Sequence, residues 1–407
     1  MSIFFVLLTN CDNKESPRQP SPPITSHAPN SVPIMTHLAT ADLDREIAAL
    51  AEIGVTRYAD PATGLMADRV AAFKEPNLRE RSGGGRKGDW IKTTFKEEED
   101  HIVNAFKQLN APRVYTIEEI DREFTALMAT HPPDATLAKA NFVLVKGVNV
   151  SYLHDAPLGQ NSFIQLASQF NYLEATSPLS IASVLSYLGD KTQGPMGSIE
   201  AAAAALHRTA AVLSGRLPHA LIDILPAGHA NYYKNGYLEM FKINNNAQQF
   251  AELKNYVQAN IKKLGILAQW VIHESNGAMN IQVFAAAPSY QGAAAPAFNS
   301  VEGEICTMLV AAQYEALAKL AAIRTFAIGG KVAVHYALVG GDAFRNPPEV
   351  RAEGFRRAAN VLKGYPNVKV FVHGFEAPGQ NEIRTYMDKN VVNLTEMDAA
   401  TFYASTL

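Results

Sequence analysis

Residues 331 to 376, KVAVHYALVGGDAFRNPPEVRAEGFRRAANVLKGYPNVKVFVHGFE, decide the fold of this chain. Lys331 to Val339 is apolar and rich in β-branched residues, which predicts a buried strand. A helical pattern runs from Glu349 to Lys363, and a second strand is predicted from Val368 to Glu376. Strand, helix and strand in this order indicate an α/β protein.

The loop between the first strand and the helix is suited to an anion. A helix start has free backbone N–H groups and a positive dipole end, which both favour negative charge. Gly340 and Gly341 lack a Cβ, so a phosphate could approach the backbone closely. The loop therefore predicts a site for a phosphorylated ligand.

Composition excludes several classes of protein. The 407 residues carry a formal net charge of only −3, and the basic residues form no stripe, so nucleic acid is not an expected partner. Cys11 and Cys306 are the only cysteines, which excludes a disulfide framework and a cysteine-based zinc cluster. We expect Cys306, in an apolar helical run, to be a buried hydrophobic residue.

We divide the chain into three parts: residues 1 to 35, 36 to 135 and 136 to 407. The first is a disordered or targeting segment, because it is rich in proline and polar residues and contributes little burial. Its apolar run, Ile3 to Leu8, is too short to span a bilayer, and Thr9-Asn10 fits a lipoprotein signal poorly. The second part is a helical extension. Its predicted helices are Asp42–Ile53, Glu97–Leu109 and Ile117–Thr130, the last with a capping box from Thr116.

The third part alternates strands and helices, which predicts a mixed or parallel sheet covered on both faces. The further strands are predicted at Asn141–Val150, Ser162–Phe170 and Asn280–Ala286. The further helices are predicted at Ile199–Leu213, Ala247–Leu264 and Val301–Ile323.

A second glycine-containing loop, Asp190 to Ser198, precedes the helix predicted at Ile199. Two such loops can converge on one diphosphate at the carboxyl edge of a sheet. Gln169, Asn171 and Glu174 would lie at the same edge, where amide groups can bind ribose hydroxyls. The alternatives are an ordinary helix-initiating turn and strand-end capping.

Four segments come in an order that resembles a known family: Ser168-Gln-Phe-Asn171, Thr192-Gln-Gly-Pro195, Val339 to Pro347 and Val370 to Phe375. They resemble a divergent macrodomain, the ADP-ribose-binding fold. More closely, they resemble the ADP-ribosylhydrolase macrodomain effectors of intracellular bacterial pathogens. The resemblance implies a three-layer α/β/α domain with a mixed sheet, to which the helical extension is added.

The resemblance also implies where ADP-ribose would bind. Asn171 would face the distal ribose, the two glycine loops would hold the diphosphate, and Phe375 would lie near the adenosine. The residues assigned to the ligand in this way are Gln169, Asn171, Thr192, Gln193, Gly194, Gly197, Gly340, Gly341, Ala343, Phe344, Arg345, Asn346 and Phe375. The chain lacks the family's Asn-Ala-Ala-Asn signature and triple-glycine loop, so the catalytic arrangement does not carry over whole.

Hydrolysis of a glycosidic ADP-ribose bond calls for a carboxylate to stabilise the developing cation or activate water. The candidates are Asp342, Asp190 and Glu174. Their non-catalytic alternatives are, in that order, a turn residue, a helix-dipole partner and a structural hydrogen-bond acceptor. His335, in mid-strand, is expected to be buried, whereas His373 near a strand end is a candidate site residue.

The sequence thus favours an ADP-ribosyl hydrolase that needs no cofactor and no metal. Its expected partner is ADP-ribose on a modified protein, and the resemblance suggests arginine-linked ADP-ribose and ubiquitin. The alternatives are a non-catalytic reader of ADP-ribose and a protein-interaction scaffold. With no transmembrane segment expected, the chain would be soluble, either secreted into a host cell as an effector or cytoplasmic.

Overall fold

The computed structural model describes residue 34 and residues 111 to 407, except 149, 155, 176–177, 179–186, 188–192, 222, 227–228, 244–245, 273–278, 292 and 375. The helices predicted at Asp42–Ile53 and Glu97–Leu109 lie outside the described residues, as does Cys11. Cys306 is completely buried, as expected.

The described strands are β1 Val114–Thr116, β2 Ala140–Lys146, β3 Phe163–Ala167, β4 Tyr233–Lys234, β5 Tyr237–Leu238, β6 Gly265–Ile272, β7 Met279–Ala285, β8 Val332–Tyr336, β9 Val368–Gly374 and β10 Val392–Asp398. The described α-helices are α1 Ile117–Thr130, α2 Val150–Leu153, α3 Gln193–Ile199, α4 Ala202–Leu213, α5 Ala247–Asn260, α6 Val301–Ile328, α7 Pro348–Leu362, α8 Ala377–Tyr386 and α9 Ala399–Ala404.

Eight of these strands form one mixed sheet in the order β1-β6-β7-β3-β8-β9-β2-β10. From β7 to β10 in this order, each strand pairs parallel with the next one, whereas β6 pairs antiparallel with both β1 and β7. The predicted mixed sheet is therefore confirmed. Parallel strands bring their carboxyl ends to one edge, where an α/β fold places its ligands.

Helices cover both faces of the sheet. His335 and Tyr336 are consecutive on β8, so their side chains point to opposite faces. Tyr336 stacks on Tyr314 of α6 at 5.3 Å between ring centroids, and His335 packs against Phe402 of α9 at 5.9 Å. The predicted three-layer α/β/α architecture is thus confirmed.

Local sequence signals set several boundaries. The capping box at α1 is present as predicted, with Thr116 and Glu119 each bonding the other's backbone N–H. Ser300 caps α6, which runs on to Ile328, beyond its predicted end. One helix was predicted across Ile199–Leu213, but the structure has two, α3 and α4. The structure also has elements that were not predicted: β1, α2, the β4–β5 hairpin, β6, α8, β10 and α9.

The α6 helix is long and apolar enough to cross a membrane by composition, but 78% of its most apolar window is buried inside the domain. It packs along α7 and against β8, with Tyr314 donating to the Ala337 carbonyl oxygen at 2.5 Å. In this structure α6 is the central helix of the core.

Residues assigned to the two N-terminal parts contribute to this core. β1 extends the sheet through β6, with Val114 opposite Leu267. Ile34 is completely buried, and its N–H donates to Glu123 Oε1 on α1 at 2.7 Å. Ile34 is therefore an exception to the little burial expected before residue 36.

We expect Ile34→Ala to lower the free energy of unfolding by about 2 kcal/mol or more, because it leaves a cavity in the core. Ile34→Val is the graded control, with an expected loss of about 1 kcal/mol. Urea denaturation of the full chain measures both. Equal stability of all three proteins would contradict the burial of Ile34.

Candidate ligand site at the carboxyl edge of the sheet

The turn after β3 is held by the β4–β5 hairpin. Asn235 and Gly236 have φ values of 48° and 83°, as a two-residue type I′ turn requires. The Phe170 N–H donates to the Gly236 carbonyl oxygen at 2.9 Å. A Cβ on Gly236 would lie 2.6 Å from the Asn171 side chain, so glycine is needed for this close packing.

Asn171 is enclosed by this turn. Its Nδ2 donates to the Asn235 carbonyl oxygen at 3.0 Å, and its Oδ1 accepts from the Leu173 N–H at 3.1 Å. The residue is completely buried. Asn171 was predicted to face a ribose, but the structure uses its amide to order the backbone beside the site.

Gln169 was also predicted to bind the ligand, and the structure uses only one end of its side-chain amide. Its Oε1 accepts from the Ala175 N–H at 2.6 Å, which fixes the side chain. No hydrogen bond joins its Nε2 to any residue in the described part of the chain, so this group is free to donate to a ligand.

The glycine loop after β8 has a fixed shape. Gly340 has a φ of 77°, and a Cβ there would lie 2.4 Å from the Ala287 Cβ. Asn346 closes the loop, since its N–H donates to the Gly340 carbonyl oxygen at 2.9 Å and its Nδ2 to the Pro288 carbonyl oxygen at 2.7 Å. Asn346 was predicted to bind the ligand, but its Nδ2 holds the loop together instead.

Gly341 leaves room above the same loop. Its φ is −64°, and the nearest atom to an added Cβ would be the Leu338 carbonyl oxygen at 3.4 Å. Ala343 is exposed, and the exposed Arg345 donates from Nη1 to the Ala293 carbonyl oxygen at 2.8 Å. Asp342 begins a short 3₁₀ turn in this loop, but its side chain lies outside the described part.

An aromatic contact joins the hairpin to the glycine loop. The rings of Tyr237 and Phe344 lie 5.6 Å apart, and the Tyr237 hydroxyl donates to the Ala175 carbonyl oxygen at 2.6 Å. The end of β3, the hairpin and the glycine loop are thereby brought together. The Asn235-Gly236 pair is a strong hairpin signal in sequence, and it could have revealed this element.

The first predicted loop is largely a helix. Asp190 and Thr192 lie outside the described residues, and α3 begins at Gln193, whose Oε1 accepts from the Val150 N–H at 3.2 Å. A Cβ on Gly194 would lie 1.9 Å from the Ala167 carbonyl oxygen.

Gly197 is equally crowded, since its Cβ would lie 2.4 Å from the Leu166 side chain. Gly194 and Gly197 were predicted to bind a diphosphate. In the structure they allow α3 to pack closely on β3. Phe375, predicted near the adenosine, lies outside the described residues.

Glu174 was predicted as a catalytic carboxylate, but it is enclosed in a buried ion pair. Arg208 Nη2 lies 3.2 Å from Glu174 Oε2 and donates to Ser198 Oγ at 2.9 Å. Burial raises the pKa of Glu174, and the Arg208 charge opposes this shift. The Arg208 guanidinium also donates to the Tyr172 carbonyl oxygen at 2.6 Å and lies 3.9 Å from the Phe284 ring centre. The structure therefore gives Glu174 a positioning role.

Arg208 was not among the residues predicted for the site. A lone arginine in the alanine-rich α4 was the available signal, because a buried cation needs a partner.

Two histidines on neighbouring strands, His335 of β8 and His373 of β9, are hydrogen-bonded to each other. His335 Nε2 donates to the Leu158 carbonyl oxygen at 2.9 Å, so its Nδ1 is left to accept from His373 Nε2 at 3.0 Å. Burial lowers the pKa of His335 to about 4 and that of His373 well below its usual value. His335 is buried as expected, and His373 presents an unpaired, buried Nδ1 among the described residues.

Comparison with known proteins gives a limited result. No family model and no curated protein matches the chain. Poly(ADP-ribose) glycohydrolase from Deinococcus radiodurans, solved with ADP-ribose, is similar in structure, with 12% identity, a TM-score of 0.38, and coverage of 70% of this chain and 96% of that one. The Thermomonospora curvata glycohydrolase has 11% identity, a TM-score of 0.38, and coverage of 70% and 89%. Values this low do not carry a function over.

We expect Gly340→Ala to destabilise the protein by about 2 kcal/mol or more, because it combines left-handed strain with the clash against Ala287. Gly329→Ala is the matched control. Gly329 also has a positive φ, of 60°, but no atom lies within 4 Å of its Cβ position. That variant should lose only about 1 kcal/mol in the same urea titration. Equal losses would show that the contact with Ala287 is unimportant.

Proposed function

We propose that the chain binds ADP-ribose at the carboxyl edge of its sheet and hydrolyses the bond between ADP-ribose and a modified protein side chain. One observation carries the proposal: the turn after β3, the β4–β5 hairpin and the glycine loop after β8 are locked together at this edge. Two contacts join them: Gly236 packs against the Asn171 side chain, and the Tyr237 ring packs against the Phe344 ring.

The glycine loop supplies the surface for the diphosphate. Its shape is set by Gly340 and Asn346, while Gly341 leaves the backbone open to a close approach. Backbone N–H groups in such a loop can donate to phosphate oxygens. On the other side, the free Nε2 of Gln169 can donate to a ribose hydroxyl.

The order of these segments supports ADP-ribose, the ligand of macrodomains, rather than another nucleotide. A strand ending in Gln169 and Asn171, a glycine-containing helix start at Gln193, and a Gly-Gly loop after a later strand resemble the macrodomain arrangement. The same resemblance favours arginine-linked ADP-ribose, with ubiquitin as the modified protein.

Catalysis is assigned to Asp342, with Asp190 as the second candidate. Asp342 lies within the glycine loop, beside the expected diphosphate and ribose. Its carboxylate would stabilise the cationic centre that forms as the glycosidic bond breaks, or would take a proton from the attacking water.

A non-catalytic reader of ADP-ribose is the second candidate function. It is favoured by the buried ion pair of Glu174 with Arg208, because this pairing leaves only two of the three candidate carboxylates for catalysis. A reader would use the same loops without a working carboxylate.

Two measurements separate these functions. Calorimetric titration with ADP-ribose tests binding, and release of free ADP-ribose from proteins modified on arginine, serine or glutamate tests hydrolysis and its linkage. Binding with release from the arginine-linked protein is the expected result. Binding without release from any of them supports the reader, and no binding contradicts both.

We expect Gly341→Val to weaken ADP-ribose binding at least about tenfold, or about 1.4 kcal/mol, because its branched side chain would occupy the space of a phosphate oxygen. The fold should persist, since the nearest atom to the new Cβ is 3.4 Å away. Calorimetry measures the affinity and circular dichroism the fold. Unchanged affinity in a folded variant would remove this loop from the site.

We expect Asp342→Asn to slow ADP-ribose release at least about a hundredfold, the usual effect of losing a general base or charge stabiliser. ADP-ribose binding should persist, because the change removes a negative charge beside the diphosphate at nearly constant shape. Single-turnover release from the modified protein measures the rate.

Asp190→Asn is the matched control and should keep its turnover. If it loses turnover while Asp342→Asn does not, the catalytic carboxylate belongs to the segment before α3. Glu174→Gln should instead lower stability, because it leaves the buried Arg208 charge uncompensated.

A further inference from the structure

A cavity lies at the opposite edge of the sheet. It has a volume of about 380 Å³ and opens at the amino ends of β2 and β9, beside Ala140 and Val368. Ser405 and Thr406, near the end of the chain, form another part of its wall. Its volume is in the range that accommodates a small molecule. The candidate ADP-ribose site lies at the carboxyl edge of the same sheet, after β3 and β8.

The inner wall of this cavity is apolar. Val143 of β2, Phe371 of β9, Leu158 and Met397 contribute to it. Phe371 is held in place, because its ring stacks on His335 at 5.1 Å between centroids. The wall therefore offers a fixed surface to an aliphatic or aromatic group.

Lys139, Lys363 and Lys369 also line the cavity. Lys139 Nζ donates to the Lys389 carbonyl oxygen at 2.7 Å, and Lys369 Nζ to the Thr406 carbonyl oxygen at 3.5 Å. Carbonyl oxygens satisfy hydrogen bonds but do not neutralise charge. Within the described ranges, no carboxylate lies within 4.0 Å of these lysines, so three positive charges surround one cavity.

Tyr365 supplies an independent sign of a missing polar partner. It lines the same cavity and is only 4% exposed. Its hydroxyl is buried and makes no hydrogen bond with any described residue. A buried hydroxyl without a partner is costly, and this one would have to turn toward the cavity to meet a bound polar group.

We propose that this cavity binds a small molecule with an apolar body and one anionic head group, a carboxylate or a phosphate. The body lies on the wall formed by Val143, Leu158 and Phe371, and the lysines receive the head group. Charge complementarity selects the anion, because three ammonium groups repel a cation and attract an uncharged polar head much less than an anion. The site is separate from the proposed ADP-ribose site and does not depend on that function.

Calorimetric titration of the full chain with four octyl compounds tests the proposal. Octanoate and octyl phosphate should bind, octylamine should not, and octan-1-ol should bind at least about tenfold more weakly than the anions. The ratio of the two anion affinities distinguishes a carboxylate site from a phosphate site. Saturating ADP-ribose should leave these affinities unchanged, because the two sites lie at opposite edges.

Variants locate the binding. Lys139→Gln with Lys369→Gln should weaken octanoate binding at least about tenfold, whereas Lys262→Gln with Lys263→Gln, exposed lysines outside the cavity, should not. Val143→Phe should block all octyl compounds by filling the space. If the variant with both lysines replaced does not fold, Lys363→Gln replaces it, because Lys363 is exposed. Its octanoate affinity is then compared with that of the control variant.

Three results would overturn the proposal. They are the absence of binding by both anions, octylamine binding as tightly as octanoate, and full octanoate affinity in a folded lysine pair variant.

Discussion

The buried pair of Arg208 and Glu174 is the interaction on which the site most depends. The Arg208 guanidinium, which belongs to α4, contacts Tyr172 and Glu174 after β3, Ser198 in α3 and the Phe284 ring on β7. Removing one partner of such a pair typically costs about 3–5 kcal/mol, because the remaining charge is left buried and unpaired. The geometry of the turn after β3 is therefore tied to the packing of two helices against the sheet.

From this anchor, a series of contacts leads across the carboxyl edge. The turn after β3 carries Asn171, the hairpin closes on Asn171 through Gly236, and Tyr237 reaches Phe344 in the glycine loop. Each of these contacts holds a backbone segment in position, and none of them places a reactive side chain in the site. This explains why several residues that look like ligand-binding residues in the sequence are buried supports, while Gln169 and the open face of Gly341 remain available.

Much of the fold could be predicted from the sequence, because short local patterns of residues determine many of its strands and helices. β8, α7 and β9 follow from one contiguous stretch, and the capping box of α1 is a signal four residues long. β1 and β10 could not be found in this way, since a short strand or a polar edge strand has little periodicity of its own and exists through pairing with β6 or β2.

The site was less predictable for a physical reason. A glycine in sequence does not reveal whether its missing Cβ makes room for a ligand, as at Gly341, or for another backbone, as at Gly194. A carboxylate such as Glu174 likewise does not reveal its distant partner, which is 34 residues away.

The most direct test of the account is hydrogen–deuterium exchange of the full chain with and without saturating ADP-ribose. The account predicts slower exchange in residues 168–174 and 339–347, with the hairpin at 233–238 also protected. Residues 139–143 and 363–371, at the opposite edge, should exchange at unchanged rates. Protection confined to that opposite edge, or none at all, would contradict the proposed placement of an ADP-ribose site.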